Sequence, residues 1–108
     1  MWIWYLNGER DGKGKEYDKN GKLIFEGEYL NGKKSGKAKK YLDGILIFEG
    51  EYLNGERWNG KGKEYDDYSN LIFEGEYLNG LRNGKGKEYR DGNLIFEGEY
   101  LNGEKLLI

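Results

Sequence analysis

The sequence predicts an all-β fold, an elongated open single-layer array of consecutive antiparallel β-hairpins. Three observations predict it: a ten-residue string that recurs, alternation of apolar and charged residues with a period of two, and regularly spaced Asn-Gly or Asp-Gly pairs. The string LIFEGEYLNG occurs unchanged at residues 23–32, 46–55, 71–80 and 94–103. Because one such unit is too short to bury a face of its own, stability has to come from the stacking of neighbours.

The spacing of the copies defines the units. The copies begin 23, 25 and 23 residues apart, and a second segment of the type Gly-Lys-Gly-Lys-Glu-Tyr lies before the first copy and between successive copies. A unit therefore has two strands and two turns. We expect one array over residues 1–108, with a partial unit at 1–22, full units at 23–45, 46–70 and 71–93, and a half unit at 94–108.

The first strand of each unit carries the predicted core. In Phe25-Glu26-Gly27-Glu28-Tyr29 the aromatic residues and the glycine share one face, and the glutamates share the other. We expect Gly27 to leave room for an aromatic ring from a neighbouring strand. The aromatic residues at these positions are candidates both for the core and for a groove that accepts a peptide or partner surface: Phe25, Tyr29, Phe48, Tyr52, Phe73, Tyr77, Phe96 and Tyr100.

The second strand follows a turn that we expect to occupy residues 31–36, since Asn-Gly adopts positive φ at low cost. On the outer face, Glu26 and Glu28 are then expected to form ion pairs with Lys37 and Lys39. A second turn, such as Asp43-Gly44, leads into the next unit.

Composition restricts the chemistry. The chain has no Cys and no His, which excludes disulfides, thiolate chemistry and the common zinc sites. Its 18 basic and 20 acidic residues leave a net charge of −2, so there is no overall attraction to nucleic acid. No stretch approaches the roughly 20 apolar residues of a spanning helix. We expect a cytoplasmic protein with no cofactor and no nucleic-acid partner.

Three motifs suggest chemistry, and a structural explanation is simpler for each. Glu26 and Glu28 have a glycosidase-like separation, but the pair recurs in all four copies and lies on a face that is open to water and opposite lysines. Residues 32–37 lack the full phosphate-loop string, and residues 66–70 lack the glycine and closing glutamate of a calcium loop. We therefore predict no catalytic, cofactor or metal site and no enzyme.

The spaced glycines and aromatic residues match a known family. Phe25-x-Gly27-x-Tyr29-x-x-Gly32-x-x-x-Gly36-x-Ala38 resembles the MORN (membrane occupation and recognition nexus) repeat, and is closest to its Asn-Gly-Lys-rich variant. The resemblance extends over nearly the whole chain. It implies a groove built of hairpins in a protein that tethers, scaffolds or organises others, by binding protein segments, by dimerising or by contacting phosphoinositide membranes.

The leading hypothesis is a non-enzymatic scaffold or protein-interaction module. The alternative is a peripheral membrane or phosphoinositide-binding tether, whose lipid-binding residues are the dense basic stretch Lys33, Lys34, Lys37, Lys39 and Lys40. The near-perfect copies are also typical of an engineered or excised repeat array with no function beyond folding.

Residues that interrupt the repeat are the other candidates for interaction. The turn at residues 54–60 is one residue longer than its counterparts and contains Trp58, and Tyr68 lies in the next turn. Trp2 and Trp4 replace outward glutamates at the start of the chain. Apolar residues at the start of the chain either cap the terminal strand or associate with a second copy through the sheet edge.

Overall fold

The computed structural model describes residues 5–6 and 9–107, and the regular structure in this part of the chain is entirely β-strand. The strands are β1 (Tyr5–Leu6), β2 (Glu9–Arg10), β3 (Gly12–Tyr17), β4 (Leu23–Leu30), β5 (Lys33–Leu42), β6 (Ile45–Leu53), β7 (Glu56–Tyr65), β8 (Leu71–Leu78), β9 (Leu81–Arg90), β10 (Asn93–Leu101) and β11 (Glu104–Lys105).

The chain divides into two compact units, residues 1–57 and 58–108. In the first unit β1 pairs with β2, and β3 to β6 form an antiparallel sheet in sequence order. In the second unit β7 to β11 are ordered in the same way. Each strand therefore pairs with the strand next to it in the sequence, and the predicted all-β array of antiparallel hairpins is confirmed.

The hairpin turns are shorter than expected. Asn31 and Gly32 have φ values of 51° and 82°, and β5 already begins at Lys33. Two consecutive residues with positive φ form the type I′ loop, whose twist matches that of the flanking strands. The same positive φ occurs at the first turn residue of the other two-residue loops: Asp43, Asn54, Asn79, Asp91 and Asn102.

The remainder of the predicted turn is a β-bulge within the strand. Gly36 has a φ of 88°, and the pairing of β4 with β5 shifts register between Gly27 and Tyr29. The Glu28 carboxylate accepts a hydrogen bond from the backbone N–H of Lys37 at 3.1 Å. Glu28 thus caps the bulge, where an ion pair with the Lys37 side chain had been expected.

On the outer face, one lysine of each second strand forms an ion pair with a glutamate of the next copy of the string. Lys15 Nζ lies 3.5 Å from Glu26 Oε2, and Lys39 Nζ lies 3.8 Å from Glu49 Oε2. The second unit repeats the arrangement with Lys63–Glu74 and Lys87–Glu97, at 3.7 Å and 3.9 Å. These partly exposed pairs each contribute about 0–1 kcal/mol.

Glycines allow neighbouring strands and rings to approach closely. A Cβ added at Gly27 would collide with the Ala38 methyl and lie 2.9 Å from the Ala38 Cα. The expected slot for neighbouring rings is found instead at Gly86, where a Cβ would lie 2.7 Å from Tyr100 Cε1 and 2.8 Å from Phe73 Cε1. Gly27 therefore makes room for the backbone of β5.

The contact between positions 27 and 38 predicts a coupled pair of substitutions. Gly27→Ala should lower the free energy of unfolding by about 1–3 kcal/mol, because two methyl groups would share one site. Ala38→Gly removes one methyl group and should recover part of the loss in the double variant, as measured by urea denaturation. Strictly additive effects would contradict this account of the packing.

Candidate functional site

The aromatic residues of the repeated string form a stacked row on one face of the sheet in each unit. The rings of Phe25 and Tyr52 on neighbouring strands meet edge to face, with centroids 5.4 Å apart, as do those of Phe73 and Tyr100 at 5.2 Å. Within a strand, each phenylalanine also meets its own tyrosine edge to face at 5.4–5.9 Å. Phe25, Phe48, Phe73 and all four tyrosines are buried, whereas Phe96 is partly exposed.

A cation covers each phenylalanine ring. Lys34 Nζ lies 4.4 Å from the ring centroid of Phe25, and Arg57 Cζ lies 4.9 Å from that of Phe48. Arg82 Cζ lies 4.1 Å from the centroid of Phe73, and Lys105 Nζ lies 5.2 Å from that of Phe96. In each case the cation is on the strand that follows its phenylalanine. Their aliphatic stems lie against the apolar surface, and the charge interacts with the ring face. Basic side chains therefore cover the rings on this face of the sheet.

Sequence reasoning did not assign Arg57, Arg82 or Lys105 to this face, although a signal was present. A Lys or Arg stands two residues after the Asn-Gly that ends each copy of the repeated string, whereas the residue between them varies among Lys, Glu and Leu. A constant charge beside a variable neighbour indicates a structural role for the charge.

Glutamates of the second strand neutralise the cations. In the second unit Glu64 accepts hydrogen bonds from Arg82 Nε at 3.1 Å and Nη2 at 2.8 Å, and from the Tyr77 hydroxyl. Glu88 lies 3.2 Å from Arg82 Nη1 and 2.7 Å from Lys105 Nζ. In the first unit the Tyr29 hydroxyl donates to Glu16.

These contacts shift the pKa values of several groups. The hydrogen bond to Glu64 raises the pKa of Arg82, although burial opposes it. Burial would raise the pKa of Glu88, but hydrogen bonds and the charges of Lys105 and Arg82 together hold it below its usual value. Burial, followed by the proximity and the charge of Glu88, raises the pKa of Tyr100 to about 12. The row is thus an interlocked set of rings, cations and carboxylates.

Lys40 departs from this arrangement. It lies opposite Phe25 on one side and Phe48 on the other, in the strand position that Glu16, Glu64 and Glu88 occupy elsewhere. Burial and then the charge of Lys34 lower the pKa of Lys40.

The basic stretch is divided between the two faces of the sheet. Lys34 stacks on Phe25, and the half-buried Lys40 shares that face. Lys39 lies on the opposite face beside Glu49, and Lys33 and Lys37 are exposed. The five lysines therefore do not form one surface.

Two of the irregular aromatic residues lie in the described part of the chain. Trp58 is half-buried in β7, and its carbonyl accepts the Gly80 N–H at 2.8 Å, as the Arg82 carbonyl does for Gly103. Compared with β9, the additional residue therefore lies between Gly55 and Trp58. The Tyr68 side chain is 87% exposed. Trp2 and Trp4, the other candidates, lie outside the described residues.

The paired outer-face carboxylates have structural partners. Glu26 pairs with Lys15, and Glu28 and Glu76 accept backbone N–H groups of β5 and β9. Within the residues that the structure describes, no group of three or more acidic side chains is arranged to hold a metal ion. The same residues contain no helix long and apolar enough to cross a membrane.

Comparison with known proteins identifies the repeat. The family model described as MORN repeat matches residues 5–22, 25–43 and 73–94, more than half of the chain. Repeats of this kind are non-catalytic and are generally protein or membrane interaction modules. A search of curated proteins found no match.

The role of the stacked cation predicts a specific loss of stability. Arg82→Ala should lower the free energy of unfolding by about 1–3 kcal/mol, because the ring loses its cover and two carboxylates lose their partner. Arg90→Ala removes the same charge from an exposed position and should cost less than about 0.5 kcal/mol. Equal losses in urea denaturation would show that the stacking contributes nothing.

The raised pKa of Tyr100 predicts alkaline sensitivity. Both the folded and the unfolded chain keep the phenol proton below about pH 10, and above it the unfolded chain ionises first. The free energy of unfolding should therefore fall as the pH rises from about 10 to 12, and it should fall less steeply for Tyr100→Phe than for wild type. Denaturation midpoints measured across this range test the difference, with Tyr68→Phe as a control for loss of a hydroxyl. Parallel curves for wild type and Tyr100→Phe would refute it.

Proposed function

The chain belongs to the MORN repeat family, and from that premise we propose that it is a non-catalytic scaffold that binds a protein partner, with Tyr68 as the principal contact. An exposed aromatic side chain on an ordered loop is typical of the anchors that dominate protein interfaces. The residues of the repeated string do not offer such an anchor, because most of their rings are covered by cations and neighbouring tyrosines.

The Tyr68 loop is held in place by one carboxylate. Asp66 Oδ1 accepts the backbone N–H groups of Tyr68 and Asn70, each at 2.9 Å. The Asp66 N–H in turn donates to the Asn70 carbonyl at 2.9 Å, and the backbone hydrogen bond from Asn70 is the largest cause of the lowered pKa of Asp66. An ordered loop loses little conformational entropy when its ring is buried by a partner.

A second turn of the same length has a polar residue at its tip. Asp18 accepts the N–H groups of Asn20 and Lys22 at 2.8 Å and 3.0 Å, with the same spacing as at Asp66. Asn20 stands where Tyr68 stands in the later turn. The fold therefore tolerates a polar residue at this tip, so the exposed aromatic ring is not required for the turn to form.

The membrane alternative has less support. A polybasic membrane contact needs its cations on one accessible surface, with about 1 kcal/mol from each unpaired residue. Lys34 and Lys40 belong to the aromatic face, and Lys39 is beside Glu49, which leaves Lys33 and Lys37 exposed on the other side.

Peptide selection tests the proposal directly. Peptides chosen from a random display library on the wild-type chain should lose at least tenfold in affinity on Tyr68→Asn, which copies the tip of the turn at residues 18–22. Leu107→Asn removes another exposed apolar side chain, 78% accessible, and should leave the affinity unchanged. Isothermal titration calorimetry gives the dissociation constants, and thermal melts verify that both variants fold.

Two results would reject Tyr68 as the anchor. One is unchanged affinity in Tyr68→Asn; the other is an equal loss in Leu107→Asn, which would indicate general hydrophobic attraction. Flotation with phosphoinositide vesicles at low salt that disappears in the Lys33→Glu, Lys37→Glu double variant would support the membrane alternative in its place.

A further inference from the structure

At one strand position the chain has a lysine, Lys40, where the equivalent strands have a glutamate. Glu16 lies opposite Phe25, and Glu88 lies opposite Phe73 and Phe96, whereas Lys40 lies opposite Phe25 and Phe48. The backbone pairing is the same in each case. The substitution therefore changes the charge beside the rings without changing the fold around it.

In the second unit a carboxylate at this position lies between two stacked cations. Glu88 is 3.2 Å from Arg82 Nη1 and 2.7 Å from Lys105 Nζ, and these cations cover Phe73 and Phe96. The two cations thus form a binding site for a carboxylate, and Glu88 of the same chain occupies it.

In the first unit cations converge on the corresponding position. Lys34 Nζ is 4.4 Å from the Phe25 centroid, and Arg57 Cζ is 4.9 Å from the Phe48 centroid, the two rings that Lys40 lies between. Burial and then the charge of Lys34 lower the pKa of Lys40, Glu16 raises it, and Arg57 lowers it. Lys40 therefore has two cationic neighbours as well as the carboxylate of Glu16.

A buried hydroxyl points to an acceptor at the same place. Tyr52 is 5% exposed, and its hydroxyl has no hydrogen-bond acceptor among the described residues. Its counterparts Tyr29 and Tyr77 donate to the carboxylates of Glu16 and Glu64, whereas the Tyr100 hydroxyl, like that of Tyr52, has no partner among the described residues. A buried donor without an acceptor costs about 1–3 kcal/mol, which an incoming oxygen would recover.

We propose that Lys34, Lys40, Arg57 and the Tyr52 hydroxyl, the Lys40 patch, bind a carboxylate presented by an acidic segment of a protein partner. The patch extends the proposed function, because it assumes that the partner is a protein, but it involves a different unit of the chain from Tyr68. A carboxylate is the chemistry that the second unit places between its own stacked cations. The lysine side chain is longer than glutamate and half-buried, so its ammonium can meet an anion that arrives from solvent.

Titration with hexaglutamate tests the patch at low ionic strength. Wild-type chain should bind the peptide and show chemical-shift changes of the Tyr52 ring by NMR. Lys40→Glu should weaken binding at least tenfold, and Lys33→Glu should weaken it less than threefold. Both variants change the charge equally, and Glu occupies the equivalent of position 33 at Glu56 and Glu104.

Lys40→Glu restores the residue found at the equivalent positions Glu16, Glu64 and Glu88, so its melting temperature should equal or exceed that of wild type. Lys40→Gln, which only removes the charge, provides a second variant and should lose most of the binding.

Several outcomes would overturn the patch: absence of hexaglutamate binding, equal losses in Lys40→Glu and Lys33→Glu, or Lys40-dependent binding of inorganic phosphate without hexaglutamate binding. Tyr68→Asn should leave hexaglutamate binding unchanged. Failure of the Tyr68 anchor and failure of the Lys40 patch are therefore separable.

Discussion

The stacking of a cation on each phenylalanine is the contact on which the rest of the structure depends. A single-layer sheet has no second layer to cover its apolar face, and only 36% of this sequence is hydrophobic. Tyrosine edges cover the sides of Phe73, and the Arg82 guanidinium covers its face. Long basic side chains can do this because their stems are apolar and only their tips require water.

Because cations cover the aromatic core, carboxylates are needed beside them to balance their charge. Arg82 would be poorly solvated against a ring without Glu64 and Glu88, and those glutamates come from two different strands, β7 and β9. One cation thus connects consecutive hairpins. Stability in such an array comes from these contacts between neighbours, since no single hairpin contains a complete set.

Local patterns predicted the fold more completely than they predicted the site. Alternation placed Phe25 and Tyr29 on one face, and Asn-Gly located the turns, because both depend on short-range geometry. The pattern did not reveal the bulge at Gly36, which requires knowledge of how Glu28 meets the next strand. Nor did it assign Arg82 to the core, because polarity alone places arginine in solvent. Proximity in sequence suggested one basic surface at residues 33–40, whereas the pleat separates Lys39 from Lys40.

Repetition within one chain supplies comparisons that a non-repetitive fold lacks. Asn20 and Tyr68 occupy the tips of turns with equivalent hydrogen bonds, and Glu88 and Lys40 occupy equivalent strand positions, each between two phenylalanines of the repeated string. Since the backbone is held constant in each comparison, folding does not account for the difference between the two residues. An exposed aromatic ring and a reversed charge are both costly or neutral for an isolated array. We propose contact with another molecule for both residues, with an apolar surface for Tyr68 and a carboxylate for Lys40.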